Sequence, residues 1–257
     1  MTMELSPCLD LLFGDGDPQA PLETRIRRAS AAGFRWAEMW GWSQRDLGAI
    51  NEALDATGLR LNCLTIDPFV PLVDPGARMS LLESVRRSTQ VAADLGCRFV
   101  VVLAGDTTAE ERSIQHQAIV DGLRQAGPLA EASGVNLLLE NLNSRIDHVG
   151  HYLDSTTEAL DIVEEVGHPS VRMLYDLYHS VTMGERPEVV LAGRFDLVAH
   201  VQIADVPGRH EPGSGTIHWP ATIDWLRASE YTGRLGLEFI PSADTLPSVA
   251  YIRGLVL

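Results

Sequence analysis

The chain has 257 residues, 45% of them apolar, and a formal charge of −15. That size and apolar content suit one large globular unit with a full core, a single domain over residues 1–257, and a field of that sign disfavours nucleic acid and anionic membranes as partners. All 20 basic residues are arginine, so chemistry that needs a lysine Schiff base is excluded.

In chain order, the segment from Met1 to Phe13 lacks a basic start and is interrupted by Glu4, Pro7 and Asp10, unlike a signal peptide. No stretch approaches the roughly 20 apolar residues that span a bilayer. Cys8, Cys63 and Cys97 are odd in number, far apart and set among apolar residues, which speaks against a disulfide framework and for a cytoplasmic location. Short apolar runs predict strands over Glu4–Leu11, Trp36–Met39, Arg60–Ile66, Phe99–Leu103, Asn136–Glu140, Val171–Asp176, Leu197–Ile203 and Leu235–Phe239. Several are almost continuously apolar, as in parallel strands covered on both faces. Helical patterns lie between them. Ser155 with Glu158 has the spacing of a capping box, and Thr108 with Glu111 repeats it. Gly33, Gly58, Gly96 and Gly134 each follow a helical pattern and precede a strand, where glycine ends a helix.

Eight βα units in a chain of this length predict an α/β fold, a closed (β/α)₈ TIM barrel. A doubly wound sheet would carry a glycine-rich phosphate loop after its first strand. The nearest match, Gly14-Asp15-Gly16-Asp17, contains two carboxylates that suit a phosphate poorly.

Polar residues close the last four predicted strands: Glu140, Asp176, Gln202 and Glu238. In a barrel these ends converge on the catalytic face. Three carboxylates brought together repel one another unless a cation neutralises them. Hard oxygen ligands without cysteine predict one divalent ion, Mg²⁺ or Mn²⁺, held by Glu140, Asp176, Gln202 and Glu238.

The segments Leu139 to Arg145, Asp176 to His179, His200 to Gly213 and Gly236 to Phe239 resemble the hydroxypyruvate isomerases of the xylose-isomerase-like barrel superfamily. The resemblance spans nearly the whole chain. It implies a metal-dependent aldose–ketose-type isomerase interconverting hydroxypyruvate and tartronate semialdehyde. It matches Glu140, Asp176, Gln202 and Glu238 to metal ligands, Glu140 and Glu238 to the acid/base pair, and His179 and Arg209 to residues that contact substrate oxygens. Two positions depart from the family pattern. Asn141 stands where proline usually follows the first glutamate, and Glu238-Phe239-Ile240-Pro241 lacks the usual basic residue. The chemistry agrees with the resemblance: two carboxylates can pass a proton between neighbouring carbons while a cation stabilises the enediolate.

Other residues read more plainly. His200, two positions before Gln202, faces the same way but deeper and reads as a core histidine. Arg145 reads either as a further carboxylate anchor or as a solvated loop arginine; Trp40 and Trp42 either wall the pocket or pack under a loop; Glu38 and Trp40 receive no catalytic role. His148 and His151 have metal-pair spacing only and are set aside. The expected partner is a small-molecule substrate, with no nucleic acid and no membrane; self-association into a homo-oligomer is left open. The competing readings are a ketose 3-epimerase, inosose or other sugar isomerase of the same superfamily, an endonuclease acting on damaged DNA, and a non-catalytic barrel. The acidic chain counts against the endonuclease, and the presence of both glutamates counts against a dead site.

Overall fold

The computed structural model describes residues 3–256. Its strands are β1 (Leu5–Pro7), β2 (Trp36–Glu38), β3 (Arg60–Thr65), β4 (Phe99–Val102), β5 (Asn136–Glu140), β6 (Val171–Asp176), β7 (Val198–Ile203) and β8 (Leu235–Leu237). All lie parallel in one eight-stranded sheet, each beside its sequence neighbour, with β1 against β8. Between β1 and β2 the ring is joined by a parallel bridge of Cys8 and Glu38, with Leu9 N–H donating to Glu38 O at 2.8 Å. The expected (β/α)₈ barrel is therefore observed.

Helices cover the outside: α1 (Leu22–Ala31), α2 (Leu47–Thr57), α3 (Arg78–Asp94), α4 (Arg112–Ala132), α5 (Thr156–Val166), α6 (Leu177–Thr182), α7 (Pro187–Val190), α8 (Trp219–Ala228) and α9 (Thr245–Val256). No helix of the described residues is long and apolar enough to cross a membrane. The Ser155 hydroxyl caps α5 by accepting from Glu158 N–H. Gly33, Gly58, Gly96 and Gly134 all have positive φ, between 65° and 84°, which a side chain would oppose.

Two expectations are corrected. The first strand ends at Pro7 rather than Leu11, because the N–H groups of Leu11 and Leu12 fold back onto Cys8 O. The apolar residues that follow fill a buried turn. Thr108 does not cap α4. Its hydroxyl accepts from Glu110 N–H within the preceding loop, and Glu111 flanks the helix without a side-chain cap.

A large apolar core lies between sheet and helices. A smaller cluster of Cys63, Phe99, Val101, Leu138 and Leu174 is separate from it. Leu138 and Leu174 stand two residues before Glu140 and Asp176, so alternation along each strand puts them on the same inward face. Glu140 and Asp176 thus stand on an apolar patch inside the barrel.

The loop after β1 is organised by a buried charge. The Arg25 guanidinium donates to the carbonyls of Ala20, Leu9, Asp10, Leu12 and Pro18 at 2.7–3.4 Å. Bonds from a charged donor are worth about 1.5–3 kcal/mol each when their loss leaves a buried acceptor empty, but they are not additive. Arg25→Met should lower the stability read from urea unfolding by about 2–4 kcal/mol. An unchanged midpoint would mean that this loop contributes nothing to the barrel.

Candidate active site and its family

The ends of β5 to β8 bring the expected residues to one mouth of the barrel. Glu140 closes β5, Asp176 closes β6 directly beside Gln202 on β7, and Glu238 follows β8. All four are at most 6% exposed. Glu140 and Glu238 line a cavity of about 270 Å³ together with Trp40, Leu142, His148 and Arg209.

The electrostatics follow from burial. It raises the Glu140 carboxyl well above the usual range, and Glu238 and Asp176 push it further. Burial also pushes Asp176 up to about 7, with Glu238 adding to the rise and Arg209 opposing it. Glu238 is raised for the same first reason, tempered by Arg209 and by a hydrogen bond from Trp40. Trp40 Nε1 donates to one Glu238 oxygen at 2.8 Å and Arg209 Nη2 to the other at 2.6 Å. The cation beside Glu238 is Arg209, from the loop after β7. Burial alone would lower the Arg209 pKa; Glu238, Asp176 and Glu140 outweigh it and hold the guanidinium charged. Its Nε is buried and has no protein partner.

Asn141, the other departure, straps β5 to β6. Its amide accepts from Asp176 N–H at 3.1 Å and donates to Asp176 O at 3.3 Å. It fixes the backbone that carries one of the carboxylates.

Glu140, Asp176 and His179 bring one potential ligand atom each within 4.8 Å of one another. The hydrogen bonds nevertheless make His179 a donor rather than a ligand. Asn143 Oδ1 accepts from the N–H groups of Ile146 and Asp147, so its amide nitrogen must face Asp147 Oδ2 and His179 Nδ1, each at 2.6 Å. Nδ1 then accepts and Nε2 carries the hydrogen, leaving no lone pair for a cation. Burial keeps the ring well below its usual pKa, hence neutral, and Nε2 is buried without a partner. Gln202 Oε1 is a second buried acceptor without one. Glu140, Asp176 and the unpaired Gln202 amide oxygen are donors of the kind that fit a hard divalent cation; Glu238, whose two oxygens accept from Trp40 and Arg209, is not in the group that brings ligand atoms within 4.8 Å.

The sequence reading missed three contributors. His148 lines the cavity and lies 5.3 Å from His179, ring to ring. Asn143 sets the His179 tautomer. Glu38 is 1% exposed and bonded to both His200 and Gln202. The three-residue spacing of His148 and His151 was the one signal available for the first. His200 is fully buried and partnered, as expected of a core histidine. Arg145 lies away from the cavity, its guanidinium donating to Thr182 O.

The description of a xylose isomerase-like TIM barrel matches residues 26–255. The chain belongs to that family. Among relatives of this family member, the hydroxypyruvate isomerase of Escherichia coli (strain K12) is 29% identical over 251 residues, covering 95% of this chain and 95% of its own. The 2-oxo-tetronate isomerase of Cupriavidus necator is 27% identical, covering 89% of this chain and 91% of its own. The crystal structure of an AP endonuclease, family 2, from Brucella melitensis superposes with a TM-score of 0.91 at 25% identity, covering 99% of this chain and all of that one. The resemblance carried by the strand-end motifs is borne out.

Proposed function

We propose that the chain is a metal-dependent isomerase of short hydroxy-keto acids, interconverting hydroxypyruvate and its aldehyde isomer. One observation carries the reading: two buried carboxyls with raised pKa, Glu140 and Glu238, line the same small cavity. Names of relatives support the substrate class, since both the E. coli and C. necator proteins are isomerases of small oxo compounds. The cavity lies at the small end of ligand sites, which run about 300–1,000 Å³, and suits three or four carbons.

In this reading Glu140, Asp176, Gln202 and Glu238 hold one Mg²⁺ or Mn²⁺. When bound, that ion supplies charge stabilisation for an enediolate. One of the two glutamates, ionised, takes the proton from the hydroxyl-bearing carbon; that C–H pair becomes the carbon–carbon double bond as the neighbouring C=O π pair moves onto its oxygen. A proton then returns to the adjacent carbon from the other glutamate, while the original hydroxyl gives its proton to the former carbonyl oxygen and becomes the new carbonyl. His179 Nε2–H donates to a substrate oxygen. Arg209, with an unpartnered Nε beside the carboxylates, holds the substrate's own carboxylate.

The test is exchange of carbon-bound hydrogen with D₂O in the presence of Mn²⁺ or Mg²⁺, over hydroxypyruvate, 2-oxo-tetronate and neutral ketoses. Hydroxypyruvate should exchange and isomerise. Arg209→Ala should raise its KM by about tenfold to a hundredfold, because a guanidinium–carboxylate pair is worth roughly 1.5–3 kcal/mol. Turnover of an uncharged ketose should change much less. If only neutral ketoses react, the epimerase or sugar isomerase reading replaces this one. An activity on damaged DNA is not favoured: the charge is −15, and among the described residues His148 and His151 join no ligand cluster.

A further inference from the structure

Barrels of this kind fill their interior with layers of apolar side chains. Here a chain of polar groups runs through the interior beneath the candidate site. Arg234, immediately before β8, donates from Nη1 to Asn62 Oδ1 at 3.2 Å. Asn62 Nδ2 lies 3.2 Å from His200 Nδ1, and His200 Nε2 lies 2.7 Å from Glu38 Oε1. Gln202 Nε2 donates to Glu38 Oε2 at 3.0 Å. Asn62, His200, Glu38 and Gln202 are each at most 4% exposed.

The direction of every bond is forced. Arginine can only donate, so Asn62 gives it the oxygen and turns its amide nitrogen to His200. Nδ1 of His200 then accepts, and Nε2–H donates to Glu38. An ionised carboxylate can only accept, so Gln202 must turn its own amide nitrogen to Glu38. Gln202 Oε1 is left facing away from Glu38, where no protein donor meets it. Space is reserved for this pair: a Cβ at Gly236 would lie 2.7 Å from Gln202 Cγ and 2.7 Å from Glu38 Oε1. Such an approach requires glycine on the neighbouring strand.

We infer that Glu38 is a positioning residue: it fixes the amide of Gln202 so that an oxygen, not an NH₂ group, faces the cation. The inference rests on the reading of Gln202 as a ligand. A flipped amide would present two donors to a cation and repel it, so the carboxylate beneath decides whether Gln202 is a ligand at all. Nothing in the Gln202 side chain itself makes that choice.

The experiment is a Mn²⁺ titration of metal-free protein followed by the electron paramagnetic resonance of free Mn²⁺, with a melting curve for each variant. Glu38→Gln keeps an oxygen for His200 but offers an NH₂ to Gln202, which must flip to meet it. The Mn²⁺ Kd should rise by about tenfold to a hundredfold, the usual cost of losing a partner behind a ligand. Gln202→Glu alone sets two carboxylates face to face and should also bind poorly. The swap of both, Glu38→Gln with Gln202→Glu, restores every donor–acceptor match and should bind more tightly than either single variant. A swap no tighter than Gln202→Glu alone overturns the inference. So does a Glu38→Gln variant that binds as wild type. Should Glu38→Gln fail to fold, the comparison of the swap with Gln202→Glu decides by itself. Failure of the site reading is seen separately: Glu140→Gln would then leave Mn²⁺ affinity unchanged, whatever Glu38 does.

Discussion

Replacing Glu140 by glutamine should abolish turnover and at the same time make the metal-free protein harder to melt. The carboxyl is buried beside Glu238 and Asp176, and burial and both neighbours oppose its ionisation. Glutamine has nearly the same shape and hydrogen-bonding reach but cannot exchange a proton as a carboxylic acid does. A lost general acid or base costs about 10²–10⁴ in rate, and here a cation ligand goes with it. We expect a fall of at least about 10³-fold in exchange of the substrate's carbon-bound hydrogen. Wherever that carboxyl is ionised, the same change removes a repulsive charge. Each kcal/mol so recovered raises Tm by roughly 2–4 °C in a chain of this size. Glu238→Gln should match the loss of activity without the gain in Tm. It strips the buried Arg209 guanidinium of the carboxylate 2.6 Å away, and a buried charge left without its partner is destabilising. Near-wild-type exchange by either variant would sink the two-glutamate mechanism. Equal Tm changes in both would show that Arg209 does not depend on Glu238.

The second large effect is the pH dependence of metal stabilisation. Asp176 titrates near 7 in the folded protein against an ordinary value of 3.8, and Glu140 and Glu238 are raised with it. The folded state therefore keeps protons that the unfolded chain has already released, so these groups lower stability as pH rises from about 4 to about 7. Histidines work the other way. Burial lowers His179 and His148, and pushes His151 down to about 4 from 6.5, so their contribution is lost as pH falls below 6.5. The two sets offset one another at acid pH. From about 6.5 upward the carboxyls alone set the slope, and protein freed of metal by a chelator should lose Tm between pH 6.5 and 8. A divalent ion needs those same groups ionised. At a hundred times its Kd it adds about 2.7 kcal/mol, or roughly 5–10 °C. Mn²⁺ should therefore raise Tm by that much at pH 8 and far less at pH 5.5. A metal effect equal at both pH values would place the cation elsewhere than among these carboxyls.

Much of this was legible in the sequence, for identifiable reasons. Strands buried on both faces leave uninterrupted apolar runs, and the first polar residue after such a run marks the catalytic mouth. Glu140 and Asp176 were readable on that ground; Gln202 was not, since His200 comes before it in the same run. The overrun of the first strand to Leu11 has the converse cause: Leu9, Leu11 and Leu12 are apolar because a buried turn needs them, and periodicity cannot distinguish that turn from a strand. Glu38 also ends a strand, but its meaning lies in His200 and Gln202, more than 160 positions along the chain. Contacts of that range leave no trace in local spacing. The tautomer of His179 was equally out of reach, since it is set by the N–H groups of Ile146 and Asp147 acting through Asn143. Arg209 was readable as a cation on the right loop; that it would ion-pair with Glu238 was not.

The ring closes at the Cys8–Glu38 bridge, and that seam contains its own chemical reporter. Cys8, Cys63 and Cys97 are all free, buried thiols, and burial raises the pKa of each, that of Cys97 to about 12. A native barrel should therefore resist alkylating reagents, and any modification must follow an opening event. Cys8 sits on the junction itself, whereas Cys97 lies in the turn between α3 and β4, away from that junction. Alkylation of Cys8 outpacing that of Cys97 would mean that the barrel breathes along one line, the line that also carries the Glu38 backbone. Matched rates would mean that the staves part together, and that release of a bound ion through the seam requires the whole protein to unfold.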